Sequence, residues 1–250
     1  MSYHVKLCRN LVRRKRITVD FKGAYFSKSV ILHAVFLYAR YPVSYRELQE
    51  ILDERGLSVD HATPNRWVVR YSPQIAEQAQ IRKGRTASSW RVDETYIKVK
   101  RRWTYLYRTV DRGGQTLDFM LSERRDLAAA RRFFKKAIAT NGVPERVVIY
   151  RSGANLAGFQ AVKTILKFTG TGDTIEIRQL KYLTNILEQD HRFIKRITKP
   201  MMAFKAFHSA ASTTIAGIEV AHMIRKDQFA NDNRSPFQVF AGLAAQCAQG

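Results

Sequence analysis

The chain has 250 residues, 43 of them Lys or Arg and 21 Asp or Glu, so its formal charge at neutral pH is +22. Hydrophobic residues make up 45%, which excludes a disordered basic tail and points to a folded protein with a polyanionic partner, nucleic acid before membrane. Cys8 and Cys247 stand near opposite ends, which excludes a disulfide framework or a zinc knuckle.

Residues 1–25 form a basic arm in which Arg13, Arg14, Lys15 and Arg16 sit together. It reads as a solvated tail or as a phosphate-contacting arm. It lacks the apolar stretch and cleavage site of a signal peptide, and no apolar run is long enough to span a bilayer, so a cytoplasmic protein with no membrane role is expected.

Residues 26–80 read as helical. Val30, Ile31, Ala34, Val35, Leu37 and Tyr38 recur at helical spacing, and Pro42 closes that helix. Ser44 followed by Glu47 reads as a capping box opening a second helix, which Gly56 stops. Thr63 reads as the cap of a third helix, with Pro64 in the first position. Helix, Gly-containing turn and a helix with polar and basic residues in its first turn make the layout of a helix-turn-helix. In that layout Asn65, Arg66 and Arg70 are candidates to contact DNA. The bland alternative is a three-helix bundle that uses Arg for solubility.

Residues 81–89 combine Gly, Ser and charge and read as a linker. From 90 to 200 the pattern is α/β. Trp90–Lys100, Trp103–Val110 and Thr116–Leu121 alternate as three strands of an antiparallel meander, with a hairpin turn at Asp111–Gly114. A helix over Asp126–Thr140 precedes a short strand, Arg146–Tyr150. A helix over Ser152–Lys167, a strand over Thr174–Arg178 and a long helix from Leu183 to about Ile197 follow. Residues 201–250 form a C-terminal helical segment and tail, helical to about 226, with a small-residue stretch from Ala210 to Gly217 and a weakly patterned end.

Two features carry chemistry. Asp93 and Glu94 are neighbours on the first strand, so they point to opposite faces, and an acid buried in a strand needs a partner such as a divalent metal. Glu188 lies on the late helix, with His191 on the same face and Lys195 and Arg196 further along toward a phosphate backbone.

The helix-turn-helix, Trp90-Arg-Val-Asp-Glu-Thr, Arg102-Trp-Thr-Tyr-Leu-Tyr-Arg-Thr-Val-Asp-Arg112 and the run from Arg178 to His191 together resemble the DDE transposases of the bacterial IS-six insertion-sequence family. The resemblance covers roughly residues 20–228. It implies a ribonuclease H-like catalytic domain, a mixed five-stranded sheet with helices, behind an all-α helix-turn-helix domain. It implies three carboxylates holding two divalent ions, Mg2+ or Mn2+, for in-line displacement at phosphorus. It implies double-stranded DNA as partner, both terminal inverted repeats and target, and a homodimer in a bacterial cytoplasm. The first carboxylate carries over to Asp93 and the third to Glu188, as catalytic residues and metal ligands. The second does not carry over: the run Val147-Val-Ile-Tyr-Arg-Ser-Gly-Ala-Asn155 has Tyr150 where the family places Asp. A neutral phenol is a poor Mg2+ ligand and is larger than Asp. Asp173, in a loop before a different strand, is a poor substitute. The expected outcome is a transposase with impaired catalysis; the alternative is a catalytically dead relative that occupies transposon ends.

Overall fold

The computed structural model describes residues 19–150, 152–168, 170, 174–180, 185–200, 211–229 and 233–245. The basic cluster Arg13–Arg16, both cysteines, Asp173 and residues 201–210 lie outside the described residues.

The first helix, α1 (Lys28–Arg40), is capped by Ser27, whose Oγ accepts from the Val30 N–H. It ends where Tyr41, held extended by the following Pro42, leaves the helical region. Helix α2 (Tyr45–Asp53) opens on the expected capping box: Glu47 N–H donates to Ser44 Oγ at 3.2 Å, and Ser44 N–H donates to Glu47 at 2.6 Å. It closes with Leu57 N–H on Leu52 C=O and Gly56 N–H on Asp53 C=O, a terminus that needs the left-handed backbone Gly56 adopts. Helix α3 spans Ala62–Arg82. Here the sequence expectation needs correcting, because Thr63 lies inside the helix. Asp60 stands at the start instead, its Oδ1 accepting from Ala62 N–H at 3.0 Å, and the Thr63 hydroxyl accepts from Arg66.

Strands β1 (Ser89–Val99), β2 (Arg102–Asp111) and β3 (Thr116–Ser122) form the antiparallel meander. Helix α4 (Leu127–Asn141), strand β4 (Arg146–Tyr150), helix α5 (Gly153–Phe168) and strand β5 (Glu176–Leu180) follow, the last two residues later than the sequence suggested. Both β1/β4 and β4/β5 are parallel, and the five strands lie in the order β3-β2-β1-β4-β5. With helices on both faces this is the expected ribonuclease H-like sheet. Helix α6 spans Asn185–Thr198, α7 spans Ser212–Arg225 and α8 spans Pro236–Ala244. The last was unmarked in the sequence reading, yet Ser235 and Gln238 form a second capping box with Pro236 in the first turn.

One sheet face packs Trp90, Val92 and Tyr107 against Phe133, Phe134 and Phe159 of α4 and α5. There α4 and α5 touch closely: a Cβ on Gly158 would meet Ala130 Cβ at 2.5 Å. The other face packs Ile97, Val99 and Leu106 against Ile194 and Ile197 of α6 and Ile215 and Ile218 of α7. A third core joins α1, α2 and α3 to Val220 and Met223 of α7 and Phe240 of α8. Helix α7 thus serves two cores, and every residue from Thr214 to Ile224 is buried. The small-residue stretch has its reason here, since a Cβ on Gly217 would lie 2.9 Å from Ser72 Oγ of α3. The segment read as a linker is pinned on both sides: Gly84 N–H donates to Gln228 C=O at 2.8 Å, and Ala87 N–H to Asp111 at 2.9 Å. Among the described residues no helix is long and apolar enough to cross a membrane.

Candidate active site

The neighbouring acids of β1 leave opposite faces of the sheet, and both are buried. Glu94 faces the α4–α5 layer. The Arg125 guanidinium pairs with one of its oxygens and the Asn155 amide donates to the other. Asn155 lies in the first turn of α5, just past β4. Glu94 thereby fixes β1 against the segment that carries residue 150, a positioning role.

Asp93 faces α6. Its Oδ2 lies 3.6 Å from His191 Nδ1, too far for a hydrogen bond. Burial raises the Asp93 pKa to about 7; a backbone hydrogen bond from Glu94 and the charges of Arg125 and Lys195 do not offset it. Burial, with the charges of Arg108 and Lys195, pushes His191 down to about 3. At neutral pH His191 is therefore uncharged, and its approach to Asp93 is not an ion pair. Its Nε2 is buried without a hydrogen-bond partner among the described residues.

Strands β1 and β4 pair in parallel as far as Val92 and Ile149. Asp93 and Tyr150 are the next residue on each strand, so the half-buried phenol stands beside the buried carboxyl. Glu188 sits in the first turn of α6, about one turn before His191 on the same side. Its carboxylate is half-exposed and pairs with Arg192 at 3.0 Å. An exposed pair at this spacing is weak and leaves Glu188 free to turn. Lys195, one turn beyond His191, and Arg196 are exposed.

Among the described residues no three His, Cys, Asp or Glu side chains converge into a metal-holding group. Asp93 and Glu188 supply hard carboxylate oxygens from facing elements, and Asp93 has the raised pKa of a carboxyl that a cation would return to its ionised form. Two carboxylates plus phosphate oxygens suit one Mg2+. They fall short of the paired ions the family resemblance implies, because residue 150 supplies a phenol.

A buried charge network behind the site went unnoticed in the sequence. Arg108 of β2, fully buried, grips Glu219 of α7 through two bonds of 2.7 and 2.9 Å and lies 3.2 Å from Asp190 of α6. Asp190 also meets His222 Nε2 at 3.0 Å and Lys226 Nζ at 2.6 Å. Burial alone would raise the Asp190 pKa, but the His222 hydrogen bond and the charges of Arg108 and Lys226 hold it well below the usual range. Phe193 stacks on His222 with centroids 4.2 Å apart. The network locks the helix that carries Glu188 to both β2 and α7. Its available signal was charge inside apolar patterns, Arg108 in a strand and Glu219 with His222 one turn apart on a helix.

On α3, Trp67, Val68 and Tyr71 face the core while Asn65, Arg66 and Arg70 are exposed. Arg66 leans on Thr63 at 2.7 Å. Arg70 is partly engaged, reaching the Asp20 carbonyl at 3.3 Å. The connection from α2 to α3 runs from Glu54 to His61, longer than a tight turn.

The family model for the DDE domain matches residues 87–228. The transposase for the insertion sequence-like element IS431mec of Staphylococcus aureus strain N315 is 36% identical over 221 residues, covering 88% of this chain and 92% of that protein. The transposase for IS257 in transposon Tn4003 of Staphylococcus aureus matches with the same identity and coverage. Among solved structures, the HTLV-2 integrase catalytic core domain in complex with magnesium shares 20% identity at a TM-score of 0.36, over 44% of this chain and 69% of that one. The simian T-cell lymphotropic virus intasome in complex with PP2A regulatory subunit B56 gamma shares 18% at 0.43, over 70% and 65%. With the identity spanning both the helical and the sheet regions, the chain belongs to the DDE transposases of bacterial insertion sequences, in the IS-six family.

Proposed function

We propose that this chain, as a homodimer in the bacterial cytoplasm, binds terminal inverted repeats through α2 and α3 and has lost most of its strand cleavage and transfer. Asn65 and Arg66 read bases; Arg70, the arm residues Arg13–Arg16 and the pair Lys195 and Arg196 meet phosphates. Asp93 and Glu188 would hold a divalent ion, which would supply Lewis acidity at the scissile phosphorus. The chain's own groups do the rest: the Lys195 charge favours ionised Asp93, uncharged His191 walls the carboxyl from water, and the Arg108–Asp190 network fixes the α6 backbone under Glu188. The observation that carries the reading is the β1/β4 register, whose last pair, Val92 and Ile149, puts Tyr150 and Asp93 next along adjacent strands, on the sheet face that α6 packs against.

The test is a cleavage and joining assay with Mg2+ or Mn2+ on the element's own ends. The unaltered chain is expected to be nearly silent, Tyr150→Asp to recover activity, and Tyr150→Asp combined with Glu188→Gln to lose it again. Full activity of the unaltered chain, abolished by Glu188→Gln, would keep the site and discard the impairment. If Tyr150→Asp fails while Mn2+ binding by calorimetry is also unchanged, residue 150 is not the second ligand position.

A further inference from the structure

Beyond residue 92, β1 has no paired strand on its β4 side among the described residues. A cleft of about 920 Å3 opens between the far end of the β1–β2 hairpin and α6. Tyr96, Lys98, Arg101 and Trp103 line it from the hairpin, Lys195 from α6 and Lys199 from just past its end. Among the described residues, no acidic side chain lines it. Lys195 is one of the charges that acts on Asp93, so the cleft reaches the site from α6, while Tyr96, Lys98 and Trp103 come to it across the edge of β1 from the face that carries Glu94.

The cleft combines two chemistries. Trp103 is 57% exposed and Tyr96 43%, meeting edge to face at 6.2 Å between centroids. Lys98 Nζ lies 4.9 Å from the centre of the Trp103 ring. Leaving an indole in water forgoes the stabilisation its burial would give, and the chain's other two tryptophans, Trp67 and Trp90, are buried. The turn beside it is unusual too. Lys100 and Arg101 both have positive φ, 48° and 62°, in a two-residue hairpin where Asn-Gly is the relaxed choice. Non-glycine residues held there cost of order 1 kcal/mol each. The chain accepts that strain and keeps Lys98, Lys100, Arg101 and Arg102 clustered at the tip.

We propose that this cleft is a stacking site for an unpaired base of a DNA strand, with Trp103 as the platform and Lys98, Arg101 and Lys199 on the flanking phosphates. Aromatic faces interleaved with cations are how proteins hold single strands. A fully paired duplex presents no base face to an indole, so the occupant is a strand end or a base turned out of its helix. The inference rests on the DNA-processing reading above and adds to it a substrate form, DNA unpaired next to the site.

The full chain is titrated with a short oligothymidylate, an abasic oligomer of equal length and charge, and a blunt duplex carrying the terminal repeat. Trp103 is the exposed tryptophan, so its fluorescence reports directly. Oligothymidylate is expected to quench it, and Trp103→Ala, read with the parent by the anisotropy of a labelled oligothymidylate, to weaken that binding about tenfold or more. Trp103→Phe restores most of it, and the blunt-duplex affinity stays near that of the parent, which also shows that the variant folds. Equal binding of the abasic oligomer, or unchanged oligothymidylate affinity in Trp103→Ala, overturns the stacking site. Failure to bind the blunt duplex while oligothymidylate still quenches removes the terminal-repeat reading and leaves the stacking site standing.

Discussion

Asp93 shows how far one buried carboxyl governs the behaviour of the chain. Its pKa is raised from an unfolded value near 3.8 to about 7 in the fold. Between those two values the native state keeps a proton that the unfolded chain has released, so stability falls as pH rises across that window and levels off above it. The effect amounts to a few kcal/mol. Asp93→Asn removes it. The variant is expected to unfold at a higher denaturant concentration than the parent at pH 8 and at nearly the same one at pH 4, in urea titrations without divalent ions. A variant that is less stable at pH 8 would show that Asp93 is held ionised by a partner within the protein. Glu94, its neighbour, has no such freedom, because Arg125 and Asn155 hold its carboxylate in the opposite layer. Adjacent acids on one strand have thus been sorted by face, one with its carboxyl tied to Arg125 and Asn155 and the other without a hydrogen-bonded side-chain partner among the described residues. The alternation was legible in the sequence; which face held α6 was not.

At the scale of elements, the local signals that worked were those with a short reach. Ser44 with Glu47 and Gly56 fixed the ends of α2 because cap and turn chemistry acts within a few residues. Thr63 misled because Asp60, three residues earlier, captured the free amide at the start of α3. Helix α8 carries a readable capping box, but its nine residues are too few to show a clear helical period, and only Val239, Phe240, Leu243 and Ala244 are buried. Nothing local could have shown the Arg108–Glu219 pair, whose partners are 111 residues apart. Nor could periodicity show that α6 is held by charges rather than by apolar packing alone. That hold is testable. Asp190→Ala leaves Arg108, His222 and Lys226 buried beside one another without their shared anion, which should cost about 3–5 kcal/mol in chemical denaturation. Asp190→Asn, which keeps the hydrogen-bond acceptor and the shape, should cost less. Equal losses for the two variants would mean that the charge contributes nothing.

For the whole molecule, the decisive element is α7. It covers the α6 side of the sheet and at the same time completes the core of the N-terminal helices. The charge network runs through it as well, since Glu219 and His222 lie on this one helix. Unfolding is accordingly expected to be a single transition by calorimetry, with Trp fluorescence and helical circular dichroism changing together; two resolved transitions would show that the N-terminal helices and the sheet melt apart. Composition suggested a boundary at residues 81–89, and the apolar pattern there is indeed interrupted. The contacts tell a different story from the composition, with Gly84 fastened to Gln228 just past α7 and Ala87 to Asp111 at the β2–β3 turn, two segments that are themselves hydrogen-bonded to each other.

The doubly buried α7 also limits how such a protein can be taken apart or recombined. A fragment covering residues 90–200 would contain Asp93, Tyr150 and Glu188, yet it would lose Ile215 and Ile218 from the core that covers Ile97, Val99 and Leu106 and strand Arg108 without Glu219. Grafting the N-terminal helices of a relative onto this sheet would meet the same obstacle from the other side, because the grafted helices must fit Gly217 and Val220 as closely as Ser72 and Ala39 do now. If α3 reads DNA as proposed, changes of preference fall on its exposed residues, such as Asn65 and Arg66, while modular exchange of whole segments is closed off by one shared helix.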